Sequence, residues 1–193
     1  AEKTFVENHK NLIHVSIHTG VGAGIILDHH LYTGFAGTAG EAGHMIVQPG
    51  GRSCPCGNHG CLEQYISEPA VLSRYQELSG RTTVSIDDLV WSYNQKETDA
   101  LAVVDEFTTY LACGINNLWN LFSPECIILN SQLTAYLPQL LPEILQKLSA
   151  RFRATCQLKL STLQDTGVLL GAARVCISKY LGIEKLYFSG FQP

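Results

Sequence analysis

Two observations predict an α/β fold. Short runs, Leu12 to Ile17, Gly24 to Leu27 and Cys126 to Leu129, have the length and β-branched content of strands, and Leu158 to Leu160 is strand-like. Between and after them lie longer segments whose apolar residues recur every three or four positions, as on one face of a helix. Strands alternating with helices place the chain in the α/β class. With 193 residues it is long enough to bury a substantial core.

In order along the chain, Ala1 to Asn8 reads as the tail of a helix. Leu12 to Ile17 and Gly24 to Leu27 read as paired strands. Asp28-His29-His30 reads as a tight turn leading to Leu31-Tyr32. Thr33 to Gly43 is Gly- and Ala-rich loop, Met45 to Val47 a short strand, and Pro49 to Cys61 irregular. Ser67 is a helix N-cap with Pro69 in the first turn, and Gly80 closes that helix. Ser85 caps a second helix, Ile86 to Asn94. Thr98 to Phe122 is the longest, with Leu101, Val104, Phe107, Leu111, Ile115, Leu118 and Phe122 on one stripe and Pro124 beyond its end. That stripe suits core packing and, alternatively, a dimer contact. Leu137 to Phe152 and Val168 to Leu181 are the remaining helices.

Charged residues make up 16% of the chain, hydrophobic residues 46%, and the formal net charge is −4. This is a soluble globular composition that supplies no polybasic surface for nucleic acid or membrane. No apolar run approaches the roughly 20 residues that span a bilayer, and the polar start carries no secretory signal. The chain begins at Ala1 without a Met, which reads as either a fragment or a processed chain.

The seven cysteines fall into two groups. Cys113, Cys126, Cys156 and Cys176 stand singly in apolar segments and read as buried free thiols. An odd count with this distribution argues for a reducing, cytoplasmic setting rather than a disulfide framework. Cys54, Cys56 and Cys61 crowd into one loop. Three thiols at such spacings, with glycines that let the backbone wrap, are the ligand set of a structural zinc, which takes four N or S donors from protein. His44 supplies the fourth ligand. His59 competes for that place, but it lies between ligand cysteines, where convergence is harder. Glu41 and Glu63 flank the cluster, and paired carboxylates suit sugar hydroxyls as well as they suit solvent.

The segment His18-Thr19-Gly20-Val21-Gly22-Ala23-Gly24 lacks the dinucleotide spacing and the Walker lysine. Its glycines, Gly20, Gly22 and Gly24, can present backbone N–H groups to an anion, or simply form a turn.

Together, Gly40-Glu41-Ala42-Gly43-His44 and Cys54-Pro55-Cys56-Gly57-Asn58-His59-Gly60-Cys61-Leu62-Glu63 resemble the signature of the ROK family of bacterial sugar kinases and sugar-responsive repressors. Thr19 to Gly24 resembles its second phosphate motif. Gly167 to Ala173 extends the likeness towards the end. The resemblance implies an actin-like, ribonuclease-H-type fold, with residues 1–193 forming mostly the larger C-terminal lobe. It implies a loop at 40–63 for zinc and sugar and a helical remainder at 67–181. It implies that His44, Cys54, Cys56 and Cys61 hold zinc and that Glu41, His44 and Glu63 face a sugar, with Thr19, Gly20, Gly22 and Gly24 the phosphate-loop-like positions.

Two departures from the family pattern stand out. The aspartate base and first phosphate motif of the kinases lie upstream of this chain. Where kinases place a glycine-rich turn against adenosine, the chain reads Asn130-Ser131-Gln132-Leu133, which disfavours ATP. The repressor branch is therefore the expectation: a sugar effector here, DNA bound through an N-terminal helix-turn-helix outside this chain, and a homodimer or higher oligomer. An ATP-dependent sugar kinase is the alternative, and a zinc-stabilised binding module the plainest one.

Overall fold

The computed structural model describes residues 9–163 and 166–182. The expected helix tail at Ala1 to Asn8 lies outside them. A single mixed sheet carries the fold, with strand order β3-β2-β1-β4-β5. Strands β1 (Leu12–Ile17), β2 (Val21–Leu27) and β3 (His30–Tyr32) form an antiparallel meander. Strands β4 (Cys126–Ser131) and β5 (Gln157–Leu160) add on the other side, parallel to β1. This order and these directions are the ribonuclease-H-type topology expected from the sequence. The β2–β3 turn falls where it was read, with Asp28 at φ 47° and His29 at φ 67°, the left-handed pair that a two-residue hairpin turn uses.

Alternation along β1 sorts its two faces. Ile13, Val15 and Ile17 enter the main core, whereas Leu12 packs with Cys126 and Ile128 on the opposite face. The main core is covered by helices α1 (Glu63–Ile66), α2 (Glu68–Ser79), α3 (Ile86–Asn94), α4 (Thr98–Phe122) and α6 (Leu140–Lys147). Ser67 accepts from the Ala70 N–H, and Gly80 ends α2 in the left-handed conformation. Ser85 and Asp88 form a capping box on α3.

Helix α4 packs on α1, α2, α3 and α6. Its buried residues include Val104, Phe107, Leu111, Ile115 and Leu118, so the stripe is core. Leu101 is the exception, at 36% exposed. Ala100 takes the inward position, and the next residue points about 100° away.

Three expectations change. The helix read across Leu137 to Phe152 is two pieces, α6 and α7 (Ala150–Thr155), and a further short helix, α5 (Gln132–Tyr136), precedes them. Leu137 precedes a proline, which disfavours helical backbone there. Ser149 competes for helical N–H groups by capping α7 through the Phe152 N–H. Strand β4 runs on to Ser131, because Asn130 and Ser131 pair with Ser16 and Ile17. Cys176, on α8 (Thr166–Leu181), is exposed, and Cys113 is half-buried, so only Cys126 and Cys156 of the single cysteines are buried thiols. Burial pushes the Cys156 thiol up to about 12.

Candidate functional site

The cysteine loop is a miniature hairpin. Ser53 bridges His59, and inside that bridge the Cys54 N–H donates to the Asn58 carbonyl at 2.9 Å. A second bridge joins Ile46 to Cys61, so Met45 to Val47 forms an isolated pairing rather than a full strand. Both Val47 and Gln48 donate N–H groups to the Gly60 carbonyl. Gly60 sits at φ 80°, and a Cβ on it would strike the Gln48 carbonyl, so no other residue fits.

This folding brings His44, Cys54, Cys56 and Cys61 together, with one ligand atom from each lying within 4.8 Å of all the others. His59 is exposed and pairs with Ser53 instead, which leaves His44 as the fourth member. Cys56 Sγ is 3.6 Å from Cys61 Sγ, and Cys54 Sγ is 3.7 Å from His44 Nδ1. Zinc–sulfur bonds of about 2.3 Å give tetrahedral S···S edges of about 3.8 Å, so the donor set fits an ion of that size.

The electrostatics point the same way. The backbone N–H of Asn58 lowers the Cys56 thiol from 9.0 to about 7, while burial pushes Cys61 up to about 12. Three adjacent thiols resist collective ionisation, and a bound dication reverses that balance.

His44 uses Nδ1 on the cysteine side. Its Nε2 points the other way, 3.9 Å from Glu41 Oε2. The Glu41 side chain is 71% exposed. Glu63, two residues after Cys61, opens α1 and turns back onto the glycine loop, where its Oε2 accepts the Val21 N–H at 2.9 Å. A Cβ on Gly20 would come within 3.1 Å of that oxygen. Gly22 and Gly24 lie within strand β2, opposite Ser16 and His14, so only Thr19 and Gly20 of the phosphate-loop-like positions form the turn itself. The N–H at the mouth of that turn is already donated to a carboxylate.

Several contacts carry no sequence signal. His18 Nδ1 lies 3.5 Å from Glu68 Oε1, and the Glu68 N–H donates to the His18 carbonyl. Arg52 pairs with Glu106 across 54 residues of sequence. Only the three-dimensional fold brings such partners together.

A helix-covered ribonuclease-H-type sheet, with a Cys/His cluster beside two carboxylates, defines a sugar-kinase-like architecture. The ROK family model matches residues 1–179, and the chain belongs to the ROK family. It is 35% identical over 191 residues to the xylose repressor of Bacillus spizizenii, covering 96% of this chain and 49% of that protein. It is 30% identical over 181 residues to a glucokinase of Halalkalibacterium halodurans, covering 84% of this chain and 55% of that enzyme. Among solved structures, a ROK family transcriptional regulator, a homologue of the Escherichia coli MLC protein, superposes with a TM-score of 0.75 at 31% identity, covering 94% of this chain and 50% of that one. The chain spans about half the length of the xylose repressor it matches.

Proposed function

We propose that this chain is the sugar-sensing portion of a transcriptional repressor, in which a structural zinc shapes a carbohydrate effector site. His44, Cys54, Cys56 and Cys61 hold the ion, which neutralises their thiolates and fixes the orientation of the His44 ring. Glu41, His44 and Glu63 face the sugar. The observation that carries this reading is the seat of Glu63. The Val21 N–H engages one carboxylate oxygen, and the other remains to accept a sugar hydroxyl. His44, bound to metal through Nδ1, keeps an Nε2–H to donate.

The repressor reading is favoured over the kinase reading by the end of β4. Asn130 and Ser131 are buried side chains at 2% and 4% exposure, where a nucleotide needs close backbone approach. The likeness to a glucokinase supports an ATP-dependent sugar kinase as the second reading. In the repressor account the sugar acts by binding one arrangement of the full-length protein better than another. DNA binds through an N-terminal region beyond this chain, the protein is a homodimer or higher oligomer, and it works in the cytoplasm. No helix among the described residues is long and apolar enough to cross a membrane.

The test is calorimetry on the full-length protein with a panel that includes xylose, glucose and N-acetylglucosamine, alongside a coupled ATP-turnover assay. Saturable sugar binding without turnover is expected, and robust turnover would establish the kinase instead.

A further inference from the structure

We propose that Arg52 is a positioning residue for the zinc centre, held in place by Glu106 of helix α4, and that Gln64 completes the centre by donating an N–H to Cys54. The proposal rests on the zinc reading above. A dication with three thiolates and one neutral imidazole keeps one net negative charge, and such a centre needs N–H donors around its sulfurs. Gln64 Nε2 lies 3.7 Å from Cys54 Sγ.

Gln64 is aimed by Arg52. Arg52 Nη1 donates to the main-chain carbonyl of Gln64 at 2.8 Å, holding the backbone from which the Gln64 side chain reaches Cys54, while Nη2 pairs with Glu106 and the guanidinium lies over the Tyr65 ring, 4.6 Å from its centre. The Arg52 main chain takes part as well. Its carbonyl accepts from Gly60, next to Cys61, and its N–H donates to the Tyr65 hydroxyl at 3.0 Å. Tyr65 in turn stacks on Tyr110 of α4 with 4.0 Å between ring centres. Glu106 also receives Arg74 Nε at 3.2 Å, which fixes its carboxylate from the α2 side. One arginine thus ties the cysteine hairpin, the residue that donates to Cys54, and the longest helix. Lysine has one ammonium and no plane, so it cannot make the carbonyl, carboxylate and ring contacts together.

The experiment measures zinc affinity by competition with a chromophoric chelator for the unsubstituted chain, Arg52→Lys, Glu106→Gln and Gln64→Leu. Apo and zinc-loaded melting temperatures and the cobalt(II)-thiolate charge-transfer band are recorded for each. The expected result is about tenfold weaker zinc binding for Arg52→Lys and Glu106→Gln. Gln64→Leu should displace the charge-transfer band and speed alkylation of the loaded protein, with its apo melting temperature unchanged. If Arg52→Lys fails to fold, the Gln64→Leu band and alkylation rate decide. The proposal is overturned if affinities stay within twofold and apo and loaded forms lose stability equally, which is the mark of an ordinary surface brace. An unsubstituted chain that takes up no zinc refutes the metal centre itself, before any variant is compared.

Discussion

Replacing Glu63 by Gln changes one charge and almost no volume. Glu63 Oε2 accepts the Val21 N–H at 2.9 Å, and a glutamine carbonyl can keep that bond. On the proposed reading, what is lost is the charge-assisted bond from the Glu63 carboxylate to the sugar. Hydrogen bonds to charged groups contribute about 1.5 to 3 kcal/mol against about 0.5 to 1.5 for neutral pairs. The difference, about 1 to 1.5 kcal/mol, corresponds to roughly five- to twelvefold weaker sugar binding. The fold should lose at most about 1 kcal/mol from the weakened bond to Val21, or roughly 2 to 4 °C in melting temperature for a chain of this size. Zinc should remain, because Glu63 is not among the four clustered ligands. Calorimetry with the best sugar of the panel, together with metal analysis, reads all three quantities. Unchanged sugar affinity would remove Glu63 from the site, and lost zinc would show that the variant acts through the metal.

Cys56→Ser should drop zinc content well below one ion per chain and lower the melting temperature, as measured by metal analysis and calorimetric scanning. Full zinc content with an unchanged melt would dismiss Cys56 as a ligand. Gly60→Ala places a methyl against the Gln48 carbonyl at φ 80° and should cost about 2 to 4 kcal/mol in denaturant unfolding. Ser85→Ala removes the α3 cap and should cost about 1 kcal/mol by the same assay. Hydrogen bonds from the Ser85 hydroxyl and N–H hold the Asp88 carboxyl below its ordinary 3.8. Its contribution is therefore full above that value and disappears as pH falls through the lower, folded-state value. An acid-unfolding profile of Asp88→Asn should be flatter over that interval.

Much of this structure was legible because its signals are local. Ser67, Gly80 and Ser85 act within one turn of the residues they cap, so their roles follow from neighbours in sequence. The spacing of Cys54, Cys56 and Cys61 likewise follows from one short segment. The exposed His59 shows why spacing alone leaves two candidates: the Ser53 bridge turns it out of the cluster. Longer-range features were not legible. The division of 137–152 depends on a serine cap competing with a good apolar period. The exposure of Leu101 depends on which neighbour the core admits. The Arg52–Glu106 pair, the His18–Glu68 contact and the seating of Glu63 on Val21 join residues that only the packed sheet and helices bring together.

The most direct test of the account is sugar calorimetry on the full-length protein in three states: zinc-loaded, stripped by chelator, and reloaded. The account predicts one zinc per chain, saturable binding when loaded, a binding heat that disappears on stripping, and recovery on reloading. Sugar binding of equal affinity in the stripped protein would contradict it, because the zinc centre would then have no part in shaping the site.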